Sequence, residues 1–380
     1  MNAETVLITG GAGFIGSALA IRLAAEGMRV RLLDSLSPQI HGVDAAQAPR
    51  VVEAAAIADL QVGSVTSREQ LERAIDGVDV IVHLAAETGT GQSMYQIARY
   101  AEVNVGGTAQ LLDVLTAGNH RVRKVVVASS RAIYGEGQYI DQTGRTVYPG
   151  YRSAEQLAEG RFELFDPSDH TRTLRSVPTG ETSRLDPSSI YGVTKLTQEQ
   201  LVLTAAPALG IAGVALRYQN VYGPGQSLRN PYTGILSIFS TLIRQGAEIN
   251  VFEDGLESRD FVFIDDVVTA TRSAILEDSA NGLAINVGSG VATSVLDVIA
   301  ELGRTFGIAA QTRVSGNYRV GDIRHNVADL TLARRVLGFE PVVSFRDGID
   351  QFVKWARGES LETSGYETSL EELRARSLLK

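Results

Sequence analysis

Short runs of aliphatic and β-branched residues alternate with longer amphipathic stretches along the first 135 positions of the chain. Such runs are typical of strands buried on both faces, and apolar residues that recur every three or four positions are typical of helices. Their alternation predicts βαβ units and therefore an α/β fold with a doubly wound parallel sheet. The clearest strand candidates are 6–8, 30–33, 78–82 and 125–127, and the helix candidates are 14–26, 67–75 and 99–117.

The pattern changes after position 135. Residues 136–181 are rich in Gly, Pro, Tyr, Arg, Ser and Thr and have few apolar periods, which predicts an insertion. A helical pattern resumes over 188–206 and a strand pattern over 213–217, but the order is less regular from Tyr222 onward. We therefore expect a first domain over 1–217 with the insertion 136–181 inside it, a second, smaller domain over 218–355 in which 258–278 is a candidate for returning to the first sheet, and a helical tail over 356–380 with a short capped helix in 366–380.

Composition agrees with a globular protein of more than one domain. The chain has 380 residues, which is long for a single hydrophobic core, and 44% of them are hydrophobic and 21% charged. No apolar run approaches the ~20 residues of a membrane-spanning helix. The N-terminus leads into a strand pattern without a basic leader, so we expect a cytoplasmic protein that does not bind membranes.

Charge and residue usage exclude several classes of function. The sequence has no cysteine, so disulfides, thiolate metal sites and cysteine nucleophiles are excluded. The five histidines are scattered without the spacing of metal ligands, and we expect no metal site. A net charge of −9 argues against nucleic-acid binding, so an anionic ligand must be held by a few well-placed groups.

A glycine-rich segment, Thr9–Gly16, follows the first strand and opens the first helix candidate. Glycines allow the backbone to approach a pyrophosphate, and a helix N-terminus offers free N–H groups and the positive end of the helix dipole. Asp34 ends the second strand, where a carboxylate bonds the adenosine ribose and repels a 2′-phosphate, so NAD is favoured over NADP. Arg31 is interpreted as an exposed strand residue. The expected cofactor contacts are Gly10, Gly13, Phe14, Ile15, Gly16, Asp34, Leu84, Ala85, Ala86, Tyr191 and Lys195.

Tyr191 and Lys195 lie four positions apart in the helix candidate 188–206. Residues with this spacing share one helix face, and a nearby cation favours the phenolate over the phenol. An isolated tyrosine titrates near pH ~10, so such a shift is needed to make it a base at neutral pH. The spacing alone is common, but downstream of a dinucleotide site it indicates redox chemistry.

Four motifs in this order resemble the extended short-chain dehydrogenase/reductase superfamily, whose members have a Rossmann fold. They are Thr9–Gly16, Asn104 within 103–108, the pair Ser129 and Ser130, and Tyr191 with Lys195. The resemblance covers most of residues 4–355 and leaves the insertion and the C-terminal tail outside the common pattern. Three further segments are similar to the nucleotide-sugar epimerase and dehydratase branch, namely 217–224, 257–262 and 318–322.

The resemblance implies a role for each matching residue. Ser130 would hold the reacting sugar hydroxyl, Tyr191 would take its proton, and Lys195 would anchor the nicotinamide ribose and bias Tyr191 towards its ionised form. The two arginines among the substrate residues would supply planar donors to a nucleotide diphosphate. The substrate contacts that it implies are Thr88, Ser130, Asn220, Arg259 and Arg319.

The residues after Ser130 discriminate between the reactions of this branch. Members that eliminate water carry an Asp-Glu pair there, and UDP-glucuronate decarboxylases usually carry a glutamate at the second position. This chain has Arg131 and Ala132, so the usual dehydration lacks its acid and base. The pattern favours 4-epimerisation, in which C4 is oxidised, the 4-keto sugar turns, and NAD is regenerated by re-reduction.

The substrate is indicated by a narrower resemblance. Residues 85–95, residues 130–137 and the insertion are similar to dTDP-L-rhamnose 4-epimerases, which interconvert dTDP-L-rhamnose and dTDP-6-deoxy-L-talose. A 4-epimerase for UDP-hexoses or UDP-uronates, a 4-ketoreductase, an atypical dehydratase and a catalytically silent nucleotide-binding regulator stay open as alternatives. The insertion is either a lid or a contact at the surface or between subunits. The helices at 99–117 and 188–206 commonly pair in this superfamily, which implies a homodimer.

Overall fold

The computed structural model describes residues 4–228, 230, 232, 234–360 and 365–380. Residues 1–3, which contribute to the expectation that no leader is present, and residues 361–364, within the expected tail, lie outside the described residues. In the part of the chain that the structure describes, no helix combines the length and apolar character needed to cross a membrane.

Seven strands form the main sheet, and the others belong to smaller sheets in the second domain and the insertion. In chain order they are β1 (Thr5–Thr9), β2 (Arg29–Asp34), β3 (Asp59–Val62), β4 (Val80–His83), β5 (Lys124–Ser130), β6 (Tyr139–Ile140), β7 (Thr146–Val147), β8 (Phe165–Asp166), β9 (Asp169–Thr173), β10 (Arg175–Ser176), β11 (Ala212–Tyr218), β12 (Asn220–Tyr222), β13 (Ile249–Val251), β14 (Ser258–Phe263), β15 (Ala284–Val287), β16 (Ala292–Ser294), β17 (Thr312–Val314) and β18 (His325–Asn326).

Most helices flank the main sheet, and the remainder build the second domain and the C-terminus. They are α1 (Phe14–Ala25), α2 (Pro38–His41), α3 (Pro49–Ile57), α4 (Arg68–Ile75), α5 (Thr90–Ser93), α6 (Ile97–Tyr100), α7 (Gly107–Thr116), α8 (Ala154–Ala158), α9 (Ile190–Ala208), α10 (Ile235–Gln245), α11 (Ile264–Leu276), α12 (Val295–Phe306), α13 (Thr331–Leu337), α14 (Phe345–Ala356) and α15 (Tyr366–Ala375). A π-helical turn, Ala101–Gly106, joins α6 and α7 into one helical stretch.

The main sheet has the order β15-β11-β5-β4-β1-β2-β3, and all of its pairings are parallel. Every residue of β1 and β5 is buried, because helices cover both faces. Val6 and Ile8 point towards the core that contains α1 and α11, whereas Leu7 points towards the core beneath α4 and α7. The predicted doubly wound α/β fold is confirmed.

The second domain is built around β14, which pairs with β12, β16 and β18; the last two pair with the same residues, Ser258 and Arg259, from opposite sides. The sequence pattern made 258–278 a candidate for returning to the first sheet. Only its helical part does so: α11 packs on α1 and is followed by β15, the edge strand next to β11. The buried apolar run of β14 does not by itself identify the sheet to which the strand belongs, since both sheets bury their strands.

The C-terminal tail contains the expected helix, α15, but not the expected cap. Its N-cap is Gly365, and no side chain there accepts a backbone hydrogen bond. A glycine has no side-chain oxygen to bond the first N–H groups. The helix is instead held by the burial of Tyr366, Leu370 and Leu373.

The insertion 136–181 folds into the three-stranded sheet β10-β6-β7, the hairpin β8-β9 and the helix α8. Tyr139, Leu164 and Leu174 form its small core. No residue of the insertion lines the large cleft described below. This position favours the surface interpretation over the lid.

Buried ion pairs attach the insertion to the second domain. The side chain of Arg152 is 1% exposed, and it donates to Glu253 Oε2 at 2.8 Å and to the carbonyl of Asp322 at 3.0 Å. The fully buried Arg324 donates to Glu163 Oε1 at 2.6 Å. Because these charges are removed from water, replacing one of them leaves its partner buried with less compensation. We therefore expect substitutions in this contact to be destabilising.

We predict that Arg152→Met lowers the free energy of unfolding by ~3–5 kcal/mol, because the buried carboxylates of Glu136 and Glu253 both lose a cationic partner, although Glu253 keeps Arg324. Chemical denaturation measures the loss. The matched control is Arg172→Met, which removes an exposed ion pair with Asp169 in the same insertion and is expected to cost ~0–1 kcal/mol. Equal losses in the two variants would show that the buried network does not hold the insertion.

Candidate active site

The turn between β1 and α1 leaves its backbone accessible to a ligand, because glycines stand at its key positions. We call this turn the cradle. Gly10 has φ +68°, and a Cβ there would lie 2.9 Å from the backbone nitrogen of Ala85. The N-cap of α1 is Gly13, which provides no side-chain cap for the first N–H groups of the helix. These donors and the close approach of two backbones fit the pyrophosphate of a dinucleotide.

A cleft of about 1000 Å³ extends from this cradle along the carboxyl edge of the sheet. Thr88 and Ser130 line it, and the Tyr100 hydroxyl fixes the loop of Thr88 by donating to its carbonyl at 2.6 Å. The volume suits a dinucleotide together with part of a second ligand. All of the predicted cofactor residues line it: Gly10, Gly13, Phe14, Ile15, Gly16, Asp34, Leu84, Ala85, Ala86, Tyr191 and Lys195.

Asp34 is fixed at the end of β2 with its carboxylate beside the cleft. One oxygen accepts from the backbone N–H of Ala12 at 3.0 Å and the other from that of Leu36 at 2.8 Å. Arg31 points elsewhere: it donates to Asp59 Oδ2 at 2.8 Å and does not line the cleft. The charge that a ribose 2′-phosphate would meet is therefore negative, which fits NAD.

Tyr191 is in the first turn of α9, next to the end of β5. The hydroxyl of Ser189 caps the helix by accepting from Gly192 N at 3.1 Å, and the backbone N–H of Tyr191 donates to Ser93 Oγ at 3.0 Å. Burial raises the pKa of Tyr191 above its usual value, while the hydrogen bond with Ser130 and the charge of Arg131 lower it. Ser130 and Tyr191 are thus brought together as the sequence analysis expected.

The ammonium group of Lys195 was expected beside the Tyr191 hydroxyl, but in the structure it bonds another residue of the same helix. The side chain is buried, and Nζ donates to Gln198 Oε1 at 2.8 Å along the same helix. Burial lowers the pKa of Lys195 to about 7. A contact between Lys195 and the nicotinamide ribose stays a prediction.

Sequence patterns did not single out Arg131 as a functional residue. Its position was considered only because it lacks the carboxylate that eliminating enzymes have there. Its Nε donates to Asn220 Oδ1 at 2.6 Å. Burial, followed by the charge of Arg259, lowers the pKa of Arg131 to about 10, so it stays charged at neutral pH. Its position directly after Ser130 was the available signal, because any side chain there must lie near the reacting group.

Arg259 and Arg319, the two arginines expected to hold a diphosphate, make different contacts in the structure. Arg259 donates to Asp322 Oδ1 at 2.9 Å and to the carbonyl of Ile323 at 2.7 Å, so its guanidinium holds this loop. Arg319 lines a small cavity, and its Nε has no hydrogen-bond partner among the described residues. A buried unpaired donor costs free energy unless a ligand satisfies it. Arg319 is therefore the better phosphate contact of the two.

The chain is similar to known nucleotide-sugar epimerases along most of its length. The NAD-dependent epimerase/dehydratase family matches residues 6–155 and 168–288. A dTDP-L-rhamnose 4-epimerase from Burkholderia thailandensis is 40% identical over 365 residues, covering 94% of this chain and 96% of that protein. The structure of a UDP-glucose 4-epimerase from Thermotoga maritima with UDP-glucose has 28% identity and a TM-score of 0.73, covering 93% of this chain and 99% of the other. A Thermus thermophilus UDP-glucose 4-epimerase in complex with NAD has 26% identity and a TM-score of 0.72, covering 94% and 100%.

We predict that Asp34→Asn weakens NAD binding by about tenfold or more, because hydrogen bonds to a charged group contribute ~1.5–3 kcal/mol. The preference for NAD over NADP should become smaller, since the carboxylate that repels the 2′-phosphate of NADP is gone. Titration calorimetry with both cofactors measures the two constants. The control is Asp59→Asn, which removes an exposed carboxylate from the neighbouring strand and should change neither. If Asp34→Asn retained the wild-type preference for NAD, another residue would have to determine the choice of cofactor.

Proposed function

The chain belongs to the NAD-dependent epimerase/dehydratase family, and from this premise we propose that it is a nucleotide-sugar 4-epimerase. The substrate pair that we assign is dTDP-L-rhamnose and its C4 epimer, dTDP-6-deoxy-L-talose, on the similarity to the Burkholderia enzyme. One observation carries the choice of reaction: Ser130 is followed by a half-buried arginine, Arg131, where an eliminating enzyme needs a carboxylate. UDP-hexose or UDP-uronate 4-epimerisation is the alternative substrate assignment.

The residues of the site fit such a reaction without a second acid. NAD, when bound in the cradle, supplies the hydride acceptor and donor. Ser130 holds the 4-hydroxyl of the sugar, and Tyr191 takes its proton as C4 is oxidised. Arg131 stabilises the phenolate by its charge. After the 4-keto sugar has turned, Tyr191 returns the proton to the opposite epimer, so no atom is gained or lost.

A homodimer belongs to the same proposal. Val193 on α9 is 45% exposed and Ile97 on α6 is 52% exposed, and these two helices contact each other. Exposed apolar side chains on adjacent helices suit a subunit contact. Light scattering at micromolar concentration tests it. The cytoplasmic location stays a prediction from the sequence.

The test of the reaction is incubation with a panel of dTDP-, UDP- and GDP-sugars, with NAD only in amounts equal to the enzyme. The H4 couplings in NMR spectra identify the C4 configuration. We expect the same product mixture from either C4 epimer of the dTDP-6-deoxyhexose. Net consumption of NADPH, or a product lighter by one water, would contradict epimerisation and favour a reductase or dehydratase.

We predict that Tyr191→Phe lowers turnover by ~10²–10⁴-fold, because it removes the proton acceptor and little contact area. Nucleotide-sugar affinity should stay within a few-fold of wild type. The control is Tyr218→Phe, since Tyr218 also lines the cleft but its hydroxyl is bonded to Thr271 at 2.8 Å. If Tyr191→Phe retained more than about a tenth of the rate, another group would be the base.

We predict that Arg131→Met shifts the pH profile of kcat/KM to higher pH. The charged groups that face Arg131 are Tyr191, Arg259, Asp322 and Glu136. Removing the cation raises the pKa of Tyr191, so less phenolate is present at neutral pH and the rate recovers as the pH rises. Arg131→Lys keeps the charge and should restore most of the profile. An unchanged profile in the methionine variant would rule out this electrostatic role.

A further inference from the structure

The last residues of the chain pair with the segment that carries Arg319. The backbone N–H of Tyr318 donates to the carbonyl of Lys380 at 2.9 Å, and the N–H of Lys380 returns a bond of 3.1 Å to the carbonyl of Tyr318. The N–H of Val320 donates to the carbonyl of Leu378 at 3.0 Å. This antiparallel ladder fixes both backbone neighbours of Arg319, so the position of its guanidinium depends on the C-terminus.

The same C-terminal residues line the small cavity. Leu373 of α15 and Leu378 after it form one side, and Arg131, Arg319 and Asp322 are among the residues opposite. The cavity measures about 40 Å³. A water needs ~10–15 Å³ by such a measure, so the space is that of a phosphate group rather than of a whole nucleotide.

Glu372 joins the C-terminus to both domains. Its Oε2 accepts from the hydroxyl of Tyr95 at 2.5 Å and from that of Tyr232 at 3.2 Å, and the two hydroxyls lie 2.9 Å apart. Tyr95 follows α5 in the first domain, and Tyr232 precedes α10 in the second. The guanidinium of Arg376 lies 4.3 Å from the centre of the Tyr95 ring. Hydrogen bonds to a carboxylate are about twice as strong as neutral ones, so this contact is the main polar anchor of α15.

The loop after β4 approaches the second domain closely at Gly89. This residue has φ +109°, and a Cβ there would lie 2.9 Å from the Cβ of Tyr232. Gly91, two positions later, is in ordinary van der Waals range of α15, since a Cβ there would lie 3.6 Å from the side chain of Leu373. Gly89 therefore allows the close approach of the loop to Tyr232.

We propose that residues 366–380 form the outer wall of a phosphate subsite for the nucleotide sugar, and that Glu372 is the positioning residue that holds this wall against both domains. The inference rests on the proposed function for the identity of the ligand. The occupant is a phosphate of a nucleoside diphosphate, because the cavity combines the space of one phosphate with the unpaired Nε of Arg319. Glu372 does not touch the ligand; it acts by keeping the ladder at 318–320 in place.

The test compares Glu372→Ala with Glu371→Ala in the full-length protein. Glu371 is adjacent and exposed, whereas Glu372 bonds Tyr95 and Tyr232. Calorimetry with dTDP and with UDP as probes should show a Kd roughly tenfold higher for Glu372→Ala only, because the loosened wall no longer holds Arg319 in place. The Kd of NAD should not change. In turnover, KM for the nucleotide sugar should rise while kcat stays within a few-fold, and Glu372→Gln should be intermediate.

A second measurement does not depend on how the variants fold. Hydrogen exchange of wild-type protein should slow at residues 318–320 and 366–380 when dTDP is added, and not when NAD alone is added. Unchanged exchange in these segments, or an unchanged Kd for Glu372→Ala, overturns the wall while leaving the proposed reaction intact. A wild-type protein that binds neither dTDP nor UDP nor any nucleotide sugar overturns the wall and the proposed function together.

Discussion

A buried ion pair between Glu199 of α9 and Arg217 of β11 holds the catalytic elements in register. Arg217 donates to Glu199 at 2.6 Å, and the hydroxyl of Ser129 donates to the same carboxylate at 2.6 Å. Arg217 also donates to the Tyr134 hydroxyl at 2.7 Å, just beyond Ser130. One carboxylate thus fixes α9 on β5 and β11, although the insertion separates these elements in sequence. Because Ser130 and Tyr191 lie at the ends of the joined elements, their proximity follows from this contact.

Three arginines lie close together in a chain whose net charge is negative. The net charge is −9, yet Arg131, Arg259 and Arg319 all lie near Asp322, and Arg131 and Arg319 line the small cavity with it. Burial weakens the hydration of these cations, and in a low-dielectric site their interactions are less screened. The same burial opposes ionisation of Tyr191, which therefore depends on a fixed cation close by. Arg131 meets that need because the turn after β5 places it directly beside Ser130.

The sequence was sufficient for the features that depend on local pattern. The helix candidate 14–26 became Phe14–Ala25, and the glycines of 9–16 formed the expected cradle, because both depend on residues close in the chain. Contacts between segments that are distant in the chain could not be predicted from the sequence pattern. The membership of β14 in the second sheet, the direction of Lys195 towards Gln198 and the engagement of Arg259 by Asp322 all depend on which neighbours the fold supplies. Periodicity carries no information about such neighbours.

The two parts of the chain outside the common family pattern converge on one loop. The insertion reaches it through Arg152, which donates to the carbonyl of Asp322, and the C-terminus reaches it through the ladder at 318–320. Arg259 of β14 holds the same loop from inside the second domain. None of these contacts involves the hydroxyl of Tyr191 or the cradle of Gly10 directly. The loop reaches Tyr191 only through Arg131, which faces Arg259 and Asp322. The added segments therefore act on the backbone beside Arg319 and on the charges that face Arg131, whereas the main sheet and α9 position Gly10 and Tyr191.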